Sequence, residues 1–352
     1  MKASSCVPVV EVTRGDIVES IHFGGFIVVD MNKKIYASSG AHDLVSYPRS
    51  SMKPFQALPF IESGGDKKYA FTDEEIAIMC ASHAGTDQHV SVLKGMHEKI
   101  GITEDDLGCG VHWPSDAKTR HAMRAAGETP TPFRHNCSGK HTGMLAYASM
   151  LNVDLGSYLD PNHPVQVRIR ETLAEMIGMD PDALPLGVDG CTAPVYGIPM
   201  QNMAEAVARL ADPKDLDQTR SAACKKITAA MMSYPMMVAG PGKFDTELMT
   251  VAKGKVFSKG GAEGYQVIGV MPGVIKSDSP GLGIAIKIAD GDTHGRARAY
   301  VTLLILNALG VLDENYLEQL KFKEKALVKN WRGIEVGEIR PAFALDFTGS
   351  EL

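Results

Sequence analysis

The stretch Tyr47-Pro48-Arg49-Ser50-Ser51-Met52-Lys53-Pro54-Phe55-Gln56 decides how the rest of the chain is understood. A serine followed three residues later by a lysine places both side chains on one helix face, one turn apart. With Ser50 as the helix cap and Lys53 in the first turn, the hydroxyl lies near the positive end of the helix. The field there favours a developing alkoxide and disfavours charge on a neighbouring ammonium. A lysine that gives up its proton can then accept one from the serine, the serine–lysine form of nucleophile activation. The same spacing recurs at Ser91-Val92-Leu93-Lys94 and at Ser115-Asp116-Ala117-Lys118, so spacing alone does not separate a catalytic pair from an ordinary helix start.

Composition narrows the classes. The chain has 352 residues, is 44% apolar and 22% charged, and carries a formal charge of −6. That suits a water-soluble globular protein of one large or two fused domains. Mild acidity without a basic cluster argues against nucleic acid or an anionic membrane as the main partner. The first residues lack the apolar run of a secretory signal. The longest apolar segment, Val301 to Leu312, is broken by Asn307 and Gly310, so it predicts a core helix rather than a membrane span. Six scattered cysteines, Cys6, Cys80, Cys109, Cys137, Cys191 and Cys224, form no compact disulfide pattern. Reduced thiols in the cytoplasm are the expectation.

In chain order, residues 9–38 predict a β-meander. Its arms are Val9 to Val12, Ile17 to His22, Phe26 to Asp30 and Lys34 to Ser38. A helical middle follows. It runs from a helix over Met52 to Ile61, through a capping box at Thr72-Asp73-Glu74-Glu75, to a last segment at Thr246 to Ala252. Strands return at Lys255 to Ser258, Tyr265 to Val270 and Gly283 to Ala289, then a helix from Ala297 to Leu309 and a polar tail from Asp313. Strands at both ends with helices between predict an α+β fold: one antiparallel sheet built from N- and C-terminal segments. The expected organisation is a single catalytic unit of two lobes, a sheet lobe over about 1–48 and 254–352 and a mainly helical lobe over about 49–253.

Three motifs carry chemistry in a fixed order. After Ser50 and Lys53 comes Cys80-Ala81-Ser82-His83-Ala84-Gly85, with Ser82 where a helix breaks into a glycine-containing loop. Taken alone, Ser82 reads as a C-cap serine and His83 as a satisfied histidine. Later, Ser258-Lys259-Gly260-Gly261-Ala262-Glu263-Gly264 puts a lysine at a strand end among glycines that let backbone approach a ligand. The order Ser-x-x-Lys, loop Ser, then Lys-small-Gly on a late strand resembles the serine acylases, the penicillin-binding proteins and class A β-lactamases. Only Ser50–Lys53 stands in that order at a helix start. A fourth cluster pairs Arg134-His135-Asn136-Cys137-Ser138-Gly139-Lys140-His141-Thr142-Gly143-Met144 with Gly187-Val188-Asp189-Gly190-Cys191. Two thiolates beside His and Asp suit zinc, with His135, His141 and Asp189 as companions on chemical grounds; two unrelated buried thiols suit the pattern equally.

Together, Arg49-Ser50-Ser51-Met52-Lys53-Pro54, Cys80-Ala81-Ser82-His83, His135 to Met144, Val188-Asp189-Gly190-Cys191 and Lys259 to Gly264 resemble the asparaginase II family, the rhizobial-type L-asparaginases. The resemblance runs from about residue 10 to residue 310, and Asn136-Cys137-Ser138-Gly139-Lys140-His141 is its most specific part. It implies a fold similar to serine β-lactamases and glutaminases, and a homodimer. It also implies two serine–lysine tandems, Ser50 with Lys53 and Ser82 with Lys259, and one zinc ion held by Cys137, Lys140 and Cys191. Lysine is a rare ligand because it must shed its proton to bind. His141 and Asp189 then become supporting or substrate contacts.

The implied reaction is hydrolysis of L-asparagine to L-aspartate and ammonia through an acyl-enzyme. Ser50 attacks, Lys53 takes its proton, and Ser82 with Lys259 relays a proton to the leaving ammonia. The backbone N–H groups of Ser50 and Ala262 would hold the oxyanion, and Arg49 or Asp189 the α-carboxylate and α-amino groups. The alternatives are a glutaminase, a β-lactamase or peptidoglycan acylase, and a non-enzymatic zinc-binding protein. The sequence leaves open which serine is acylated and whether zinc acts in catalysis or only aids substrate binding.

Overall fold

The fold divides the chain into two compact units, seen here in a computed structural model that describes residues 5–345. One unit comprises Met1–Ser51, Ile198–Asp212 and Val251–Leu352; the other comprises Met52–Gly197 and Pro213–Thr250.

The first unit is an eight-stranded antiparallel sheet. Its path runs Leu327–Lys329, Glu335–Pro341, Val7–Arg14, Ile17–Asp30, Leu282–Ile288, Tyr265–Val270 and Val256–Gly260, with Ile35–Ser39 paired to Ile17–Asp30. N- and C-terminal segments therefore share one sheet, and with the helices around it the architecture is α+β, as the strand distribution predicts. The strands Tyr265–Val270 and Leu282–Ile288 are buried along their whole length, so they are largely apolar, with Gln266 and Lys287 as buried exceptions. The helix Met200–Ala211 packs on this sheet, closing a cluster of Ile27, Val29, Met200, Ala204 and Ala285. Close approach is possible because the facing residue is Gly283, where a Cβ would fall 1.9 Å from the Ala204 carbonyl oxygen.

Three expectations change here. The meander arms Ile17 to His22 and Phe26 to Asp30 are one 14-residue strand. Gly24 and Gly25 do not break it; they let the Lys287 and Ser39 carbonyls come close on its two sides. The helix at residue 200 belongs to the sheet unit, not to one helical lobe over 49–253. The tail after Asp313 is also structured: helices Glu314–Gln319 and Phe322–Lys325 lead into a hairpin whose second strand pairs with the N-terminal one, Val10 opposite Pro341 and Val12 opposite Ile339. That strand is mostly solvent-facing and carries three charged residues, so its own sequence does not announce it; pairing with a distant strand makes it.

The second unit is mainly helical. Its helices include Lys53–Glu62, Asp73–Met79, Asp87–Ile100, Ala117–Ala125, Ser138–Leu151, Pro164–Ile177 and Gln218–Ser233. The capping box forms as the sequence predicts, with the Glu75 N–H on Thr72 Oγ1 at 3.3 Å and the Thr72 N–H on Glu75 Oε2 at 2.7 Å. Helix Lys53–Glu62 is buried from Lys53 to Ile61 and helix Ser138–Leu151 from Ser138 to Ala148, so both are core helices apolar on nearly every side. Each nonetheless carries one buried lysine near its start. All six cysteines are free. No described helix is long and apolar enough to cross a membrane.

Candidate active site

In the sheet unit, Arg49–Met52 forms a 3₁₀ turn rather than a capped α-helix start. Ser50 is not the cap: the helix begins at Lys53, with Met52 in the cap position and no side-chain cap bond. Arg49 takes φ +54°, a left-handed conformation unusual for a non-glycine residue, immediately before the candidate nucleophile. The turn is fixed to the late strand by its second serine. Ser51 Oγ donates to the Lys259 carbonyl at 2.9 Å, and the Ser51 N–H donates to the Pro48 carbonyl at 3.1 Å.

The Lys-Gly-Gly sequence follows from that approach. A Cβ at position 261 would stand 2.2 Å from the Pro48 carbonyl oxygen and 3.0 Å from Ser51 Oγ, so only glycine fits. Arg298 donates from Nη1 to the Gly261 carbonyl at 2.8 Å and to the Tyr265 carbonyl at 3.2 Å, clamping the same loop. Ser50 and Lys259 are thus carried on elements of one unit, joined through Ser51. Lys259 is buried and donates from Nζ to the Gly260 carbonyl at 2.6 Å, whereas Ala262 is exposed.

In the helical unit, Lys53 and Ser82 meet. Lys53 is 1% exposed, and its Nζ lies 3.0 Å from Ser82 Oγ, 3.3 Å from Cys137 Sγ and 3.5 Å from the Asn136 carbonyl. It also donates to the Ala81 carbonyl. A buried polar group needs this much compensation, and two carbonyls, a hydroxyl and a sulfur provide it. The lysine of the first motif therefore touches the serine of the second. The Ser82–Lys259 tandem is what the family resemblance implies; spacing along the chain does not say which lysine the loop reaches.

From Lys53 the polar cluster continues inward. Cys191 hydrogen-bonds Cys137, and Lys140 Nζ donates to Cys191 Sγ at 2.9 Å, with Asp189 Oδ2 4.0 Å from Lys140 Nζ. The hydrogen bond from Cys191, with the nearby charge of Lys53, holds the Cys137 thiol well below its ordinary range against the cost of burial. Cys191 shares that proton and is pushed up. Burial disfavours charge on Lys140, but the fields of Cys191, Cys137 and Asp189 outweigh it and hold the ammonium above its usual range. Cys109, buried and lacking such support, is pushed up to about 12.

Local backbone explains why these groups gather. Gly139 lets helix Ser138–Leu151 cross Asp73–Met79 closely, since a Cβ there would lie 2.1 Å from the Ile78 carbonyl oxygen. This brings Cys137 and Lys140 beside the loop that follows Met79. Cys191 sits in the tip of a hairpin, Leu186–Val188 with Pro194–Tyr196, and Thr192 next to it takes φ +71°. Asp189 closes that tip, its carbonyl accepting from the Thr192 N–H at 2.9 Å.

The histidines nominated on chemistry behave differently. His135 Nδ1 accepts from the Cys137 N–H at 3.0 Å and so orders the loop. His141 is wholly buried with Nδ1 2.6 Å from Tyr158 Oη, and burial lowers its pKa well below the ordinary imidazole value. Among the described residues, no group of three or more His, Cys, Asp or Glu is placed to hold a metal, so neither histidine joins the two sulfurs as a third ligand. Lys140 is the group that stands with them. His83 is the satisfied core histidine the bland reading describes, bonded to Ser138 Oγ at 2.8 Å. Sequence reasoning missed Ser138 and Arg298, since a buried serine and a distant arginine bonding carbonyls leave no spacing signal.

Comparison with known proteins completes the description. No curated protein sequence matches the chain. Among solved structures, a Bacillus glutaminase in 4.3 M NaCl matches at 14% identity over 82% of this chain and 91% of that one, with a TM-score of 0.40. Mglu in its native form matches at 11% identity over 84% of this chain and 66% of that one, with a TM-score of 0.44. A probable glutaminase from Bacillus subtilis, complexed with 6-diazo-5-oxo-L-norleucine, matches at 14% identity over 82% and 84%, with a TM-score of 0.37. The sequence model of the family described as L-asparaginase II matches residues 10–341, nearly the whole chain. The chain belongs to the L-asparaginase II family and is an amidohydrolase.

Proposed function

We propose that the protein hydrolyses L-asparagine to L-aspartate and ammonia through an acyl-enzyme formed on Ser50. The observation that supports this most directly is Lys53, a buried lysine with Nζ 3.0 Å from Ser82 Oγ, three residues after Ser50 in the chain. Ser50 attacks the side-chain amide carbon and neutral Lys53 takes the hydroxyl proton. Ser82 passes a proton through the same lysine to the leaving nitrogen, and on the return step the pair draws a proton from the attacking water. Lys259, on the strand to which Ser51 is bonded, is the second lysine of the reaction. Backbone N–H groups of Ser50 and Ala262 are assigned to the oxyanion, each such donor being worth roughly 3 kcal/mol. Arg49 and Asp189 are assigned to the α-carboxylate and α-amino groups of the substrate, with His141 packed behind Lys140.

Cys137, Lys140 and Cys191 are assigned to zinc. Two sulfurs and a nitrogen within hydrogen-bonding reach of one another suit an ion that takes three protein ligands and leaves a fourth position open. Lys140 would release its proton on binding, which makes the affinity pH-dependent. When bound, the ion would supply positive charge beside the substrate. In solution the protein is assigned as a homodimer, which rests on family resemblance, and to the cytoplasm, which rests on its scattered free cysteines.

The test is ammonia release from L-asparagine and L-glutamine by the wild type and by Ser50→Ala. Turnover of asparagine that disappears in Ser50→Ala is the expected result. A kcat/KM higher for glutamine would make the protein a glutaminase, and normal turnover in Ser50→Ala would remove Ser50 as the nucleophile.

A further inference from the structure

His83 adjoins Ser82, and its hydrogen bonds fix which nitrogen carries the proton. The Gly85 N–H donates to His83 Nδ1 at 3.1 Å, so Nδ1 is the acceptor and Nε2 bears the hydrogen. Nε2–H then donates to Ser138 Oγ at 2.8 Å, and that hydroxyl donates onward to the carbonyl of His135 at 2.9 Å or of Phe133 at 3.1 Å. The main chain repeats the link, with the His83 N–H on the Asn136 carbonyl at 3.2 Å. On the other side, the ring stacks on His89 with centroids 4.8 Å apart and planes within 17°.

His83 is therefore a bracket between two loops, one ending in Ser82 and the other in Asn136 and Cys137. Both loops present their groups to one atom, Lys53 Nζ, at 3.0 Å for Ser82 Oγ and 3.3 Å for Cys137 Sγ. We propose that His83, through its Nε2–H bond to Ser138 Oγ, is a positioning residue that holds the Ser82 loop and the Cys137 loop at the separation Lys53 bridges. It does not exchange protons in the reaction: the ring is wholly buried and both nitrogens are engaged. Burial, with the neighbouring His89, keeps it neutral well below the ordinary imidazole range.

The proposal rests on the amidohydrolase reading for its kinetic arm and on geometry alone for its structural arm. Gln at position 83 can still present an amide N–H to Ser138, whereas Asn is one carbon too short and keeps only the Gly85 contact. His83→Asn and Ser138→Ala should each lower kcat on asparagine roughly 10- to 100-fold, as expected for loss of one buried bond that sets a catalytic distance, while KM changes less than kcat. His83→Gln should recover most of the loss. Crystal structures should show Lys53 Nζ and Ser82 Oγ beyond hydrogen-bond reach in His83→Asn and together in His83→Gln. Wild-type kcat in a folded His83→Asn, or an unchanged 3.0 Å contact in its structure, would overturn the proposal. Equal loss of several orders of magnitude in both His83 variants would also overturn it, by making the ring itself an acid or base. If the wild type hydrolyses neither amide, the functional reading fails and the crystal structures alone decide the positioning role.

Discussion

Lys53 Nζ stands 3.0 Å from Ser82 Oγ, so the lysine that follows the first candidate serine is in hydrogen-bond contact with the second. One buried lysine thereby joins the two serine motifs, and the question of which serine is acylated becomes a question about what Lys53 serves. Its contact with Cys137 also ties it to the sulfur pair and, through Cys191, to Lys140.

Lys53→Met keeps the length and volume of the side chain but removes its charge and donors. Turnover of asparagine should fall by roughly 10⁴-fold, since the variant loses the group that moves protons for the serines. The fold should survive, because a methionine suits a core helix buried from Lys53 to Ile61. Steady-state kinetics beside a thermal melt is the measurement. A loss below tenfold would show that Lys53 is structural.

Metal content gives an independent check on Cys137, Lys140 and Cys191. Elemental analysis of purified protein should find zinc near one equivalent, absent from Cys137→Ala. Zinc uptake followed by a chromophoric chelator should release protons and weaken as pH falls, because Lys140 carries its proton firmly in the metal-free protein. Full zinc retention in Cys137→Ala would end the assignment.

Stability should decline on mild acidification. His83, His89, His97 and His141 all have pKa values lowered from 6.5, with burial the largest cause in each. The unfolded chain therefore binds protons that the folded one refuses, so stability rises with pH in this window. The contribution is complete above about pH 6.5 and is lost as pH falls through that value toward the folded pKa. Each histidine adds up to about 1.4 kcal/mol per pH unit to the slope. Urea midpoints between pH 7.5 and 5 will read it, and a flat profile would contradict it.

Gly261→Ala tests the seat of the Ser50 turn. The added Cβ would lie 2.2 Å from the Pro48 carbonyl oxygen, a backbone atom that cannot step aside without moving Ser51 off Lys259. Destabilisation of about 1–3 kcal/mol and a larger fall in kcat than in KM are expected. By contrast, Gly15→Ala has open space around its Cβ but a left-handed backbone, φ +55°. It should cost stability by about 1 kcal/mol and leave kcat alone.

Much was legible before any coordinates. The Thr72–Glu75 box located a helix start, because a cap is a local signal. The strands Tyr265–Val270 and Leu282–Ile288 declared themselves as apolar runs. The final strand Glu335–Pro341 did not, since its hydrogen bonds go to a strand over three hundred residues away and charged residues and a glycine interrupt its apolar ones.

By itself, then, the sequence determined the α+β class, the family, and the residue types that carry the chemistry, because these depend on composition, short spacing and motif order. Tertiary structure alone decided the partners. It set Lys53 on Ser82 and Ser51 on the strand of Lys259. The reason is physical: a buried charge takes whichever donors and acceptors packing brings within about 3 Å, and packing here is set by close helix and strand crossings at Gly139, Gly261 and Gly283.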